Sequence, residues 1–164
     1  MNRRVERWPA FVITGHKSTF PVSESFAQIS KIWQDATANS TIDKLYTLWS
    51  KLDLQPAGIL GISMKHLDDP KTMDYFLAVT TFVDVPGAEL IPLPEEMQSF
   101  KLPSVEWAII EANGPLPAAM SNAYLAFSNE WLPSSGYTAA PLPVIESYIT
   151  ENRQEIWFPI VPKE

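Results

Sequence analysis

The chain has 164 residues, no cysteine and a formal net charge of −7 at pH 7. This length can bury a core without disulfides, and 46% hydrophobic with 19% charged residues is typical of a folded chain rather than a disordered one. The lack of cysteine excludes disulfides, thiolate metal sites and cysteine nucleophiles, and the acidic balance argues against direct nucleic-acid binding because phosphate backbones are repelled.

The N-terminal segment, MNRRVERWPAF, lacks the apolar run of a signal peptide, and no stretch approaches the ~18 apolar residues of a membrane helix. We therefore expect a cytoplasmic protein with no membrane partner and no direct nucleic-acid partner. His16 and His66 lie far apart and have no metal-binding spacing, so we expect neither a metal nor a cofactor.

The first half of the chain predicts a strand, helices and a hairpin. Residues 5–16 are apolar and β-branched and predict a strand. Apolar residues at helical spacing follow Ser23 and recur over residues 41–51, which predicts two helices. Residues 59–64 and 75–83 predict an antiparallel hairpin. The apolar positions of the first helix are Phe26, Ile29, Ile32 and Trp33.

The second half repeats this order. Residues 105–112 predict a strand, residues 116–132 a helix, and residues 144–150 and 155–161 two further strands. Between the halves, four prolines predict a connector without regular structure over residues 85–104.

We therefore expect one α+β domain over residues 1–164, with a first half of about 1–84 and a second half of 105–164. Its two strand-helix-strand-strand units would join in a pseudo-twofold arrangement, as an antiparallel sheet with helices on one side and a central ligand cleft. Clefts at such internal interfaces are common ligand sites.

The second half carries motifs in an order that resembles the GyrI-like family, also called the AraC-type effector-binding domain. The motifs are a Gly-Pro turn, the segment WLPSSGY, the segment PVIESY and the final strand EIWFPI, at residues 114–115, 131–137, 143–148 and 155–160. The first half follows the resemblance in its element order and in the opening segment PAFVI.

The resemblance implies a pseudo-symmetric ligand cleft built from two such units. Many members are fused to a helix-turn-helix and sense drugs or metabolites. This chain begins at the first strand, so we expect a stand-alone member. Such members are implied to sequester small toxic molecules, to modulate other proteins, or to hydrolyse strained cyclopropane-containing compounds.

Glu146 is the first candidate for chemistry. By strand alternation it shares one face with Val144 and Tyr148. From the residues alone, a carboxylate within a strand points either to solvent, which is the commoner case, or into a protected site. The resemblance favours the protected site, because the ligand-contacting glutamate of the family falls here. A cation would then balance the charge, or a raised pKa would make the group a general acid or base.

Aromatic residues are the candidates for the walls of the site, since their faces attract cations and stack on flat ligands. Ordinary core packing is the alternative for each of them. We place Trp33, Trp49 and Trp131 in the core by their helical spacing, and expect solvated positions for Glu111 and Glu155. The predicted wall residues are Trp157, Trp107, Tyr148, Tyr75 and Phe82.

Three functions remain open on the sequence. The first is capture of a hydrophobic ligand, aromatic or cationic, with Glu146 balancing its charge. The second is hydrolysis of strained electrophilic rings, with Glu146 as general base and therefore catalytic. The third is a protein partner, such as a topoisomerase or a transcription factor, bound through the acidic surface.

Overall fold

A computed structural model describes residues 3–66 and 68–164. These residues form nine strands. The strands are β1 (Arg3–Trp8), β2 (Phe11–Pro21), β3 (Ile59–Lys65), β4 (Thr72–Val83), β5 (Gln98–Leu102), β6 (Val105–Asn113), β7 (Tyr137–Ala139), β8 (Val144–Thr150) and β9 (Arg153–Pro162). They make one antiparallel sheet in the order β1-β6-β9-β8-β3-β4-β2-β5, with β7 paired to β9. The predicted α+β class is confirmed.

The main helices pack on one face of this sheet. They are α1 (Ser25–Ala38), α2 (Thr41–Leu52) and α3 (Ala118–Leu125). The last of these continues as a π-helical segment, Ala126–Trp131, and a final turn, Leu132–Ser134. The α2 helix contacts β3 and β4, whereas α3 contacts β6 and β9. None of the helices in the described ranges has the length and apolar character needed to cross a bilayer.

On the opposite face, the sheet curls so that side chains of distant strands come into contact. Phe11 on β2 lies 5.9 Å from Trp107 on β6 and 6.4 Å from Trp157 on β9, measured between ring centroids. Five strand spacings separate β2 from β6, which would be about 24 Å in a flat sheet. The sheet is therefore strongly curled, and its inner face encloses the main core. This inner core comprises Phe11, Ile13, Leu60, Ile62, Phe76, Ala78, Val83, Leu102, Trp107, Ile109, Ile145 and Trp157.

Two sequence predictions fail near prolines. Residues 5–16 were expected to form one strand, but Pro9 interrupts it, and β1 pairs with β6 while β2 pairs with β4 and β5. The connector over residues 85–104 was expected to lack regular structure, yet Gln98–Leu102 forms the edge strand β5. Four prolines border this segment without falling inside it, so all five residues can pair with β2.

Two phenylalanines provide a matched test of the curled core. Phe11 is 0% exposed, whereas Phe26 on α1 is 88% exposed. We expect Phe11→Ala to lower the free energy of unfolding by about 3–5 kcal/mol and Phe26→Ala to change it by less than about 0.5 kcal/mol. Urea unfolding followed by tryptophan fluorescence measures both. Equal losses would contradict the inner core.

Candidate functional site

A cleft lies on the helix-bearing face, over the centre of the sheet. Its volume is about 740 Å³, within the usual range for ligand pockets. The floor comes from β3 and β8, which pair with each other and join the two halves of the chain. Side chains from β4, α1 and the segment before α3 complete the walls. The lining includes Ile29, Trp33, Tyr75, Leu116, Glu146 and Tyr148.

Strand alternation delivers Glu146 to this cleft. Its neighbours Ile145 and Ser147 are fully buried towards the inner face, so Glu146 and Tyr148 point the other way. Glu146 is half-buried rather than withdrawn completely. The cleft therefore holds a carboxylate that a ligand can approach.

Two tyrosine hydroxyls hold the carboxylate. Tyr124 on α3 donates to Oε2 of Glu146 at 2.6 Å, and Tyr148 donates to Oε1 at 2.5 Å. Among the described residues no ion pair involves Glu146. Hydrogen bonds to an ionised acceptor are short and strong, so two phenols can stabilise the charge where no basic side chain does.

Burial raises the pKa of Tyr124 and Tyr148 well above the ordinary value, and the negative charge of Glu146 adds to the rise. Burial also raises the pKa of Tyr75, against the hydrogen bond from Trp33, which lowers it. All three phenols therefore stay protonated at neutral pH. Tyr124 and Tyr148 therefore act as hydrogen-bond donors to Glu146, whereas the hydroxyl of Tyr75 accepts from Trp33.

A second aromatic pair forms the wall beside β3. Trp33 Nε1 donates to the hydroxyl of Tyr75 at 2.8 Å, and the Trp33 ring meets that of Tyr148 edge-on at 5.0 Å. The phenol of Tyr75 reaches this position over Gly61, where an added Cβ would lie 2.3 Å from the hydroxyl oxygen. Gly61 therefore creates the space that lets Tyr75 face the cleft.

Comparison with known families identifies the chain. The model of the GyrI-like small molecule binding domain matches residues 1–161. The chain belongs to the GyrI-like family. A search of curated proteins gave no match.

Solved structures share the fold of this GyrI-like domain. SAV2435 bound to tetraphenylphosphonium is 22% identical, with a TM-score of 0.77, over 98% of this chain and 94% of that one. A putative transcription regulation protein from Staphylococcus aureus MU50 is 21% identical, with a TM-score of 0.72, over 98% of each chain. The C-terminal domain of EcmrR is 16% identical, with a TM-score of 0.57, over 99% and 98%.

In this GyrI-like domain, the structure brings Glu146, Tyr148 and Tyr75 together and separates the other predicted wall residues from them. Trp157 and Trp107 are both 0% exposed in the inner core, on the face opposite Glu146. They cannot line the cleft, because Trp157 pairs with Ile145 rather than with Glu146. Phe82 lies beside Leu52 and Leu54, against a different surface hollow.

Among the residues of the site, Trp33 was predicted as core, and Tyr124 was not among the predicted site residues. Trp33 and Tyr124 lie at helical spacing, and that spacing identifies the face turned to the sheet without saying where a cleft opens in it. The expectation for Glu155 is also wrong. This carboxylate is 5% exposed on the inner face and is paired with Arg4 at 3.1 Å, and it accepts a hydrogen bond from Trp157 Nε1 at 3.3 Å.

A methyl group at position 61 tests the aromatic wall. We expect Gly61→Ala to lower the free energy of unfolding by about 1–3 kcal/mol, because the added Cβ displaces Tyr75. Tyr75→Phe removes the oxygen that would clash, so the double variant should lose less than the sum of the two single losses. Urea unfolding of the four proteins measures the coupling, and additive losses would contradict the contact.

The tyrosine cluster predicts a loss of stability at high pH. A pKa raised by folding stabilises the protein fully below the unfolded value of about 10, and this contribution falls as pH rises above it. We expect the free energy of unfolding to change little up to about pH 9 and to decrease as pH rises above about 10. Tyr124→Phe should start about 1–2 kcal/mol lower and decrease less steeply. If the free energy of unfolding decreased with pH equally steeply in both proteins, the raised pKa of Tyr124 would not be the cause.

Proposed function

We propose that this domain captures a hydrophobic cation in the cleft, with Glu146 balancing the charge and aromatic rings contacting the apolar groups. The observation that carries the proposal is a carboxylate held by two phenols, without a basic partner in the described residues, at the floor of an aromatic cleft. A cation would add the charge partner that the protein does not supply.

The hydrogen bonds of Glu146 indicate the kind of cation. Each carboxylate oxygen already accepts a phenol hydrogen, so the group does not need the ligand as a donor. A quaternary phosphonium or ammonium ion has no N–H or O–H to donate and interacts through charge and its apolar surface. The site therefore suits such an ion better than a primary amine, which must find acceptors for three hydrogens.

Size and comparison support the same ligand class. The cleft volume of about 740 Å³ is sufficient for a compact aromatic cation. SAV2435, which shares this fold, has been solved with tetraphenylphosphonium. The half-exposed Leu116 and the exposed Phe26 add apolar surface at the mouth of the cleft.

Hydrolysis of a strained ring is the second candidate. The observation in its favour is that Glu146 and the two phenol donors place base and acid groups side by side. Against it, each carboxylate oxygen already accepts a phenol hydrogen, so an attacking water would have to share the carboxylate with both hydroxyls. Incubation with a cyclopropane-bearing alkylating compound and mass spectrometry for the ring-opened product separates turnover from binding.

Charge removal tests the binding proposal. We expect Glu146→Gln to weaken tetraphenylphosphonium binding about tenfold or more in isothermal titration calorimetry. Its affinity for triphenylphosphine oxide, which is neutral, should stay the same. Glu151→Gln is the control, because Glu151 is exposed at the end of β8 and the net charge changes equally. Equal losses in both variants would mean that only the overall charge attracts the cation.

A further inference from the structure

A second cavity adjoins the aromatic cleft on the same face of the sheet. Its volume is about 400 Å³. Ser63 lines both spaces. Tyr124 lines the second cavity, and its hydroxyl donates to Glu146 in the first. The two spaces are therefore neighbours that meet at Ser63 on β3, beside Tyr124.

The second cavity has a different chemistry from the first. Its walls come mainly from Met64, Met73, Leu142 and Val144, and among the described residues no acidic one lines it. Methionine side chains are flexible and polarisable and adapt to apolar ligands of varied shape. This cavity is suited to an alkyl chain rather than to a charge.

Lys65 lies at the end of this apolar space. Its side chain lines the second cavity and is exposed. Within the described ranges it takes part in no ion pair. The ammonium group is therefore available to an anionic group on a ligand.

The β3 strand sets the distance between the two charges. Gly61 pairs with Glu146, and Gly61, Ser63 and Lys65 share the helix-bearing face by strand alternation. Four residues at roughly 3.3 Å each place Lys65 roughly 13 Å from Gly61 along the strand. This is the span of an extended alkyl chain of about ten carbons.

We infer that the second cavity is a tail subsite, which binds an apolar chain attached to the cation, and that Lys65 binds an anionic group at the far end of that chain. The ligand class is an elongated amphiphile, cationic at Glu146 and anionic at Lys65. This inference rests on the proposed function, because the cation must first occupy the aromatic cleft.

Three phosphonium probes with the same aromatic head test the tail subsite. They are methyltriphenylphosphonium, decyltriphenylphosphonium and the carboxydecyl analogue. We expect the decyl probe to bind about tenfold or more tightly than the methyl probe, because its chain leaves water. Val144→Phe fills the tail subsite and should remove this gain while the methyl probe binds as before. Val161→Phe is the control, since Val161 is exposed on β9 and does not line the cavity.

Lys65 is tested by the carboxylate at the chain end. We expect Lys65→Gln to weaken binding of the carboxydecyl probe about three- to fivefold and to leave binding of the decyl probe unchanged. Lys71→Gln is the matched control, because Lys71 is also exposed but lines neither cavity. Both lysine variants change exposed side chains, so they should keep the fold even where Val144→Phe does not.

The outcomes separate the two proposals. If Glu146→Gln leaves methyltriphenylphosphonium binding unchanged, the proposed function is wrong. Suppose instead that Glu146→Gln weakens binding of the methyl probe. The tail subsite is then wrong, and the aromatic cleft is still supported, if the decyl probe binds no more tightly than the methyl probe to the unmodified protein. The same conclusion follows if Val144→Phe keeps the tighter binding of the decyl probe. If Lys71→Gln weakens binding of the carboxydecyl probe as strongly as Lys65→Gln does, the proposed role of Lys65 is wrong.

Discussion

The pairing of β3 with β8 is the constraint on which the site depends. It joins the two halves at the centre of the sheet and sets Glu146 directly opposite Gly61. Gly61 leaves room for the phenol of Tyr75, and Tyr148 follows Glu146 on the same face. A slip of one residue would turn Glu146 into the inner core and bring Ile145 to the cleft, so the register specifies both the core and the site.

The carboxylates of Glu146 on β8 and Glu155 on β9 lie on neighbouring strands and are stabilised in different ways. Glu155 points to the inner face, where Arg4 neutralises it. Glu146 points to the cleft, and within the described part of the chain its hydrogen-bond donors are two neutral hydroxyls. A hydroxyl stabilises a negative charge without cancelling it, so Glu146 retains an attraction for cations that Glu155 has lost. The sheet therefore separates a structural ion pair from a carboxylate that can serve a ligand.

Local patterns in the sequence predicted most of the elements and the face that Glu146 shares with Tyr148, because alternation and helical spacing are local properties. The protected site for Glu146 was predicted from the family resemblance. The local patterns did not predict which aromatic rings reach the cleft. Trp157 alternates as clearly as Glu146, but it lies in the inner core because distant strands curl until Phe11 meets Trp107 and Trp157. Trp33 lies at the helical spacing that predicts a core residue, and the cleft beside α1 makes it a wall residue instead. Both differences arise from long-range geometry that no short segment encodes.

The hydrogen bonds that Glu146 accepts from the two tyrosines also affect the expected selectivity of the cleft. A site that must form directional hydrogen bonds rejects analogues that lack the matching groups, because its buried polar atoms would stay unpaired. Here one tyrosine hydroxyl already donates to each carboxylate oxygen, so the proposed ligand need not donate a hydrogen bond and would meet a negative charge and aromatic faces. Neither has a strong directional requirement. On the proposed function, such a site is expected to discriminate by charge sign and by size, and to tolerate wide variation in the shape of the apolar groups.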